Sequence, residues 1–305
     1  MKHLLNASSV WEAAVLVVSV GSTALLPLPA CAQATFHINH DTSSFENIEL
    51  TDGDVGVHVS YYHYRERPEH DDNNLSYQLV YQGEEHGFVE TFAWAFAEFK
   101  LQDLDSDGMA EVIVRNFSGG AHCCTNTTIH RWDGNGFKDI ETGHLDGAGA
   151  QLEDFNNDGY AEVVIPHQAF LYRFGSYAES FPPMTIFTYR DGELVDTTHQ
   201  FPDQIREQAE TIRSVFLRIR AEDGYISNSL LASYVAQQAV LNDNFLDAWQ
   251  FMLNNHSSED VWGLDIYEDG EKVGAYPDFP TALRMFLTET GYLDPDGQPR
   301  DRGET

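Results

Sequence analysis

Basic residues are scarce in this chain of 305 residues: 17 Lys and Arg stand against 49 Asp and Glu, for a formal net charge of -32. A field of that sign repels phosphate backbones and anionic headgroups, which argues against nucleic acid and membrane surfaces as partners, and it attracts cations. Cysteine is scarcer still. With only Cys31, Cys123 and Cys124, the chain is no disulfide scaffold and has to hold together through its core. At 42% hydrophobic and 12% aromatic it can bury one, so wholesale disorder is excluded. Past residue 28 no apolar run is long enough to span a bilayer. A zinc-protease His-Glu-x-x-His, a Gly-x-Ser-x-Gly elbow, a Walker loop and a dinucleotide fingerprint are all missing. No catalytic residue is nominated.

The amino terminus reads as an address. A short positive start, MKH, leads into the apolar run AAVLVVSVGSTALLPL (13–28), and PACAQA then offers small residues for cleavage after Ala32 or Ala34. This is the layout of a secretory signal peptide spanning 1–34, which predicts an exported, periplasmic or extracellular protein. Leu28-Pro29-Ala30-Cys31 also approximates a lipidation box, but proline at its second position favours simple cleavage over anchoring through Cys31.

What the chain has in abundance is a doubled acidic motif. DLDSDGMAEVIV (103–114) aligns with DFNNDGYAEVVI (154–165), and each is followed by an alternating β-run, a glycine-containing turn and a second short run: TIHRWDGNGFKDI (128–140) and TIFTYRDGELVDT (185–197). The unit is an acidic loop, a buried strand, a variable connection and a hairpin, in two copies over about 101–149 and 152–200. LSYQLVYQGEEHGFVETF (75–92) is a degenerate third hairpin without the loop. Four carboxylates within nine residues repel one another unless a cation sits among them. Calcium takes six to eight oxygens from such loops, with alternate side chains turned inward. Asp103, Asp105 and Asp107, the Met109 carbonyl and Glu111 form the first candidate set. Asp154, Asn156, Asp158, the Tyr160 carbonyl and Glu162 form the second. Hard oxygen donors without neighbouring His or Cys favour calcium over zinc or copper.

An EF-hand is excluded, because the twelfth residues are Val114 and Ile165 and strand-formers follow the glycines. An acid at the ninth position with a strand behind it resembles the calcium loop of FG-GAP repeats, and the related VCBS-type repeats, over about 100 residues. The resemblance implies β-hairpin or blade-like units whose loops bind two structural calcium ions. A closed propeller needs at least four blades, so the expectation for 35–200 is an incomplete, propeller-like β domain.

After Pro202 the pattern changes. Ile205, Ala209, Ile212, Phe216 and Ile219 fall on one helical stripe, and 227–242, 244–255 and 278–293 carry helical periodicity. The fold class is therefore α+β and multi-domain, with a helical region over 201–293 and a frayed tail over 294–305. Between the acidic loops lies FSGGAHCCTNT (117–127). His122 beside Cys123 and Cys124 suggests a thiol nucleophile, a redox pair or a soft-metal site, but neighbours on a strand point to opposite faces. A tight glycine-hinged turn, with the thiols buried or bridged to each other, is favoured. The segment resembles one found in uncharacterised bacterial secreted proteins, which implies no activity. The sequence thus predicts an exported calcium-binding repeat protein without evident catalysis, its helical region available to a protein partner. The alternative is an exported hydrolase or thiol-redox protein centred on His122, Cys123 and Cys124.

Overall fold

The computed structural model describes residues 34–63, 65–66 and 72–300. The leader-like segment through Gln33, with Cys31, lies outside the described residues. The first strand, β1 (Ala34–Asn39), is followed by β2 (Phe45–Asp52), β3 (Val55–Tyr61), β4 (Leu75–Tyr81) and β5 (Glu84–Thr91), and these last four form one antiparallel meander. A second meander contains β6 (Phe96–Gln102), β7 (Glu111–Phe117), β8 (Thr125–Trp132) and β9 (Phe137–Leu145), with β1 added beside β6. The third contains β10 (Gln151–Glu153), β11 (Glu162–Pro166), β12 (Met184–Arg190) and β13 (Glu193–Asp196). Three blade-like sheets therefore follow one another, and among the described residues they do not close into a ring.

The apolar runs behind the acidic loops explain how the sheets stack. Successive strand residues point to opposite faces. In β7, Val112 and Val114 enter a core shared with the first sheet, alongside Val57, Leu79 and Phe99. Ile113 points the other way, into a core with Ala161, Val163 and Tyr189 of the third sheet. The run Val112–Val114 is continuous because β7 is covered on both sides. β11 repeats the device: Val163 faces the second sheet, while Val164 packs with Phe201 and Ile205 at the start of the helical region. His130, 1% exposed, adds a polar tie between the first two sheets, lying 3.0 Å from the Tyr77 hydroxyl and 2.7 Å from Asp139.

The helical region comprises α1 (Pro202–Asp223), α2 (Asn228–Leu241), α3 (Phe245–Asn255), a hairpin of β14 (Asp265–Glu268) and β15 (Glu271–Ala275), and α4 (Phe279–Glu289). Ile205, Ala209, Ile212 and Phe216 of α1 are buried on the stripe their spacing predicts. Ser227 caps α2 by accepting from Leu230 N–H, and Asp278 caps α4 by accepting from Thr281 N–H. Phe170 and Phe174, in the β11–β12 connection, are buried in this helical core and tie it to the third sheet. No helix among the described residues is long and apolar enough to cross a membrane.

Four details differ from the sequence expectation. The degenerate third hairpin is half of a complete four-stranded sheet, because β3 pairs with β4 and β2 with β3. Each repeat begins one strand before its acidic loop, so a boundary at 101 cuts β6. The helical region contains the β14–β15 hairpin, turned by Asp269 and Gly270 with φ of 49 and 82°, the positive values that an Asp-Gly hairpin turn requires. Of the tail expected over 294–305, residues 294–300 form a hydrogen-bonded turn, in which Leu293 bridges Pro299 and Asp294 N–H donates to the Gln298 carbonyl, and 301–305 lie outside the described residues.

Candidate metal centre

The acidic loops link β6 to β7 and β10 to β11, and they share one backbone design. Gly108 and Gly159 each have φ of 87°, and Ser106 and Asn157 each have 58°. Asp103 Oδ2 accepts from Gly108 N–H at 2.9 Å, and Asp154 Oδ2 accepts from Gly159 N–H at 3.0 Å. Asp107 and Asp158 accept from Met109 and Tyr160 N–H at 2.8 and 2.9 Å. Glu111 and Glu162 reach back to Leu104 and Phe155 N–H, both at 2.9 Å. Each ninth-position acid thus closes its own loop with one oxygen, while its other oxygen accepts from a hydroxyl of β12.

The first loop gathers its acids tightly. Asp103, Asp105 and Glu111 offer carboxylate oxygens that all lie within 4.8 Å of one another. Asp105 is 6% and Glu111 1% exposed. Among the described residues neither Asp103 Oδ1 nor Asp105 Oδ1, both buried, has a hydrogen-bond partner. Burial pushes the Glu111 carboxyl up to about 8, with the charges of Asp105, Asp107 and Asp103 adding to it against the Leu104 amide. The Asp105 carboxyl is raised by burial and by Asp107. Buried carboxylate oxygens without donors are costly, and a hard divalent cation satisfies several of them at once. The donor set is oxygen alone and fits calcium.

Asp107 stands apart from that trio, its Oδ2 held by Arg131 Nη2 at 3.1 Å. Arg131 also lies 3.5 Å from Asp105 and 3.8 Å from Glu111. In the second loop Asp154, Asn156 and Asp158 are linked by hydrogen bonds, with Asn156 Nδ2 donating to Asp158 Oδ2 at 3.0 Å and Asp158 N–H donating to Asp154 Oδ1 at 3.2 Å. Burial raises the Glu162 carboxyl, and Thr188 Oγ1 donates to it at 3.2 Å. The Tyr160 ring lies under the Arg190 guanidinium, 5.1 Å from its centroid. The two loops touch: Ser106 Oγ donates to the Gly159 carbonyl at 2.8 Å, and Ala161 N–H donates to the Leu104 carbonyl at 2.7 Å. Tyr189, from the hairpin behind the second loop, donates to Glu111 of the first at 3.3 Å.

Arg131, Thr188 and Tyr189 are the site residues that sequence reasoning passed over. They sit on the hairpins, and their signal was the alignment of TIHR with TIFT, which puts Arg131 and Thr188 at one position of the repeat.

Connections alternate ends in a meander, so the β7–β8 segment with His122, Cys123 and Cys124 lies at the opposite end of the second sheet from the acidic loop. Cys123 and Cys124 are joined as a disulfide, with Asp146 beside them. The His122 ring stacks on Tyr177, centroids 4.1 Å apart. Gly119 has φ of 92°, and a Cβ there would come within 2.8 Å of Trp94. A Gly119→Ala substitution combines that clash with a left-handed backbone and is expected to cost about 2 kcal/mol, read as a lowered urea midpoint. An unchanged midpoint would show that the turn is not packed against Trp94.

Residues 103–165 match the FG-GAP-like repeat family, and residues 205–291 match the sll0997 C-terminal domain family. The first match runs from one acidic loop through the other, and the second spans most of α1 through α4. The chain is 31% identical over 276 residues to the probable thylakoid lumen protein sll0997 of Synechocystis, covering 85% of this chain and 79% of that protein. It is 30% identical over 207 residues to the uncharacterized protein y4bJ of Sinorhizobium fredii, covering 65% of this chain but 33% of that one. No solved structure matches it.

Proposed function

Since this chain belongs to the family of the Synechocystis protein sll0997, joining an FG-GAP-like repeat to that family's C-terminal domain, we propose that it is an exported calcium-binding protein with a structural, non-catalytic role. The observation that carries the calcium reading is the pair of buried, donorless oxygens, Asp103 Oδ1 and Asp105 Oδ1. Asp103, Asp105 and Glu111 would hold the ion in the first loop, with Asp107 and the Met109 carbonyl at its rim. Asp154, Asn156, Asp158, the Tyr160 carbonyl and Glu162 would hold it in the second. The ion supplies charge neutralisation and nothing chemical. Through the contacts between Ser106 and Gly159 and between Tyr189 and Glu111, the two loops stiffen as a unit and lock the second sheet to the third.

Export is supported by the leader-like sequence and by the lumenal assignment carried in the name of the Synechocystis relative. Partner contact is assigned to the carboxy-terminal region, where Leu246 and Val261, each 73% exposed, and Trp262 and Tyr267 face solvent. Calorimetric titration is expected to show two calcium sites, and Asp103→Ala or Asp154→Ala to leave one each. Absence of binding heat at millimolar calcium would overturn the calcium reading.

A further inference from the structure

The two loops share a backbone but not a charge pattern. At the third position the first has Asp105 and the second Asn156. Facing the ninth-position acid from the neighbouring strand, the first has Arg131 and the second Thr188. Thr188 pairs with Glu162 across β11 and β12, and Arg131 lies one step beyond the Val112–His130 pair of β7 and β8, which sets it opposite Glu111. Both residues face that acid, Thr188 as an uncharged hydroxyl donating at 3.2 Å and Arg131 as a cation whose Nε is 3.8 Å away. The differences cancel. Counted by the groups in contact with the acids, four carboxylates with one guanidinium and three carboxylates with none each leave three negative charges when fully ionised, Arg190 lying over the Tyr160 ring and not against an acid of the second loop.

Space has been made for the guanidinium. Arg131 is 22% exposed at its side chain and passes the β12–β13 turn at Gly192, where a Cβ would sit 3.3 Å from Arg131 Cδ. It leaves Asp105 Oδ1 without a partner while approaching Asp105 Oδ2 at 3.5 Å. The arginine thus borders the oxygen-lined interior without filling it.

We infer that Arg131 is a built-in counter-cation that lowers the calcium affinity of the first loop by offsetting the charge that Asp105 adds there, bringing the two loops toward equal affinity. This rests on the calcium reading. A fixed positive charge a few ångströms from a bound divalent cation repels it and competes for the same oxygens, and the semi-buried setting weakens solvent screening. Without calcium the same arginine holds the crowded loop together.

The test isolates the first loop in the full chain with Asp154→Ala and compares Arg131→Thr, Asp105→Asn, the double substitution and Arg131→Lys, by calcium titration and by melting in chelator. Arg131→Thr is expected to tighten calcium binding about tenfold, a change of about 1.4 kcal/mol, while lowering the chelated melting temperature. Asp105→Asn is expected to weaken binding by a similar factor. The double substitution, which rebuilds the pattern of the second loop, returns the affinity to within about threefold of the parent, and Arg131→Lys leaves it near the parent because the charge is kept. If Arg131→Thr does not fold, Arg131→Gln replaces it with the same expected direction. Calcium binding with unchanged or weakened affinity in the neutral variant overturns this inference alone. No calcium binding in any variant, the wild type included, overturns the calcium reading and this inference with it.

Discussion

Chelation of calcium is expected to lower the melting temperature by about 10 °C or more. A ligand that binds only the folded chain stabilises it by about 2.7 kcal/mol when present at a hundredfold excess over its dissociation constant. For a chain of this size, 1 kcal/mol moves the midpoint by roughly 2–4 °C. Two sites acting together reach the stated shift. The loops are placed to transmit it, because each joins two strands of a sheet and the Leu104 carbonyl is hydrogen-bonded to Ala161 of the other loop. Scanning calorimetry in millimolar calcium and in chelator measures the difference. Superimposable curves would mean that the acids are held by the chain's own donors alone, Arg131, the Thr188 and Tyr189 hydroxyls and the backbone amides among them.

Leu104→Ala is expected to cost about 2–5 kcal/mol, the range for removing a buried leucine whose surroundings cannot collapse. Leu104 belongs to the acidic loop by sequence, yet it is fully buried. It meets Ile113 and Ile129 of its own sheet and Ala161, Val163 and Tyr189 of the next. Those neighbours are fixed by ladder hydrogen bonds, so a cavity there stays open. The loss should persist in saturating calcium, which separates packing from metal binding. Urea denaturation reads it, and a change below about 1 kcal/mol would show that the two sheets are held together elsewhere. Phe155, at the same place in the second loop, packs on Phe201 in front of α1, ring centroids 5.7 Å apart. In each loop the second residue plugs the next interface.

The legible parts of this molecule were local. Alternate acids followed by Glu and an apolar run located both loops, and the four-and-three spacing from Ile205 to Phe216 located α1. The parts that escaped depend on neighbours across strands. Arg131 carries no acidic or glycine signal of its own, and its place against Glu111 follows from the register of β7 and β8. β6 was divided because FAEFKLQ alternates quietly ahead of a conspicuous motif. The β14–β15 hairpin was announced by Asp269-Gly270 but overlooked between two helical stretches. The turn at 294–300 looked like a tail by composition, while its order comes from pairing with Leu293 and Tyr292.

The outer face of the first sheet carries His58, Ser60, Ser76 and Gln78, none of them fully buried, whereas the far side of the third is sealed by Phe201 and Ile205. A row finished in this way is plugged at one extremity and largely wetted at the other, where Phe88, paired with Gln78 and 62% exposed, is an apolar ring among polar neighbours. Lengthening the array by duplication is therefore easiest internally, between sheets that already present greasy surfaces to each other.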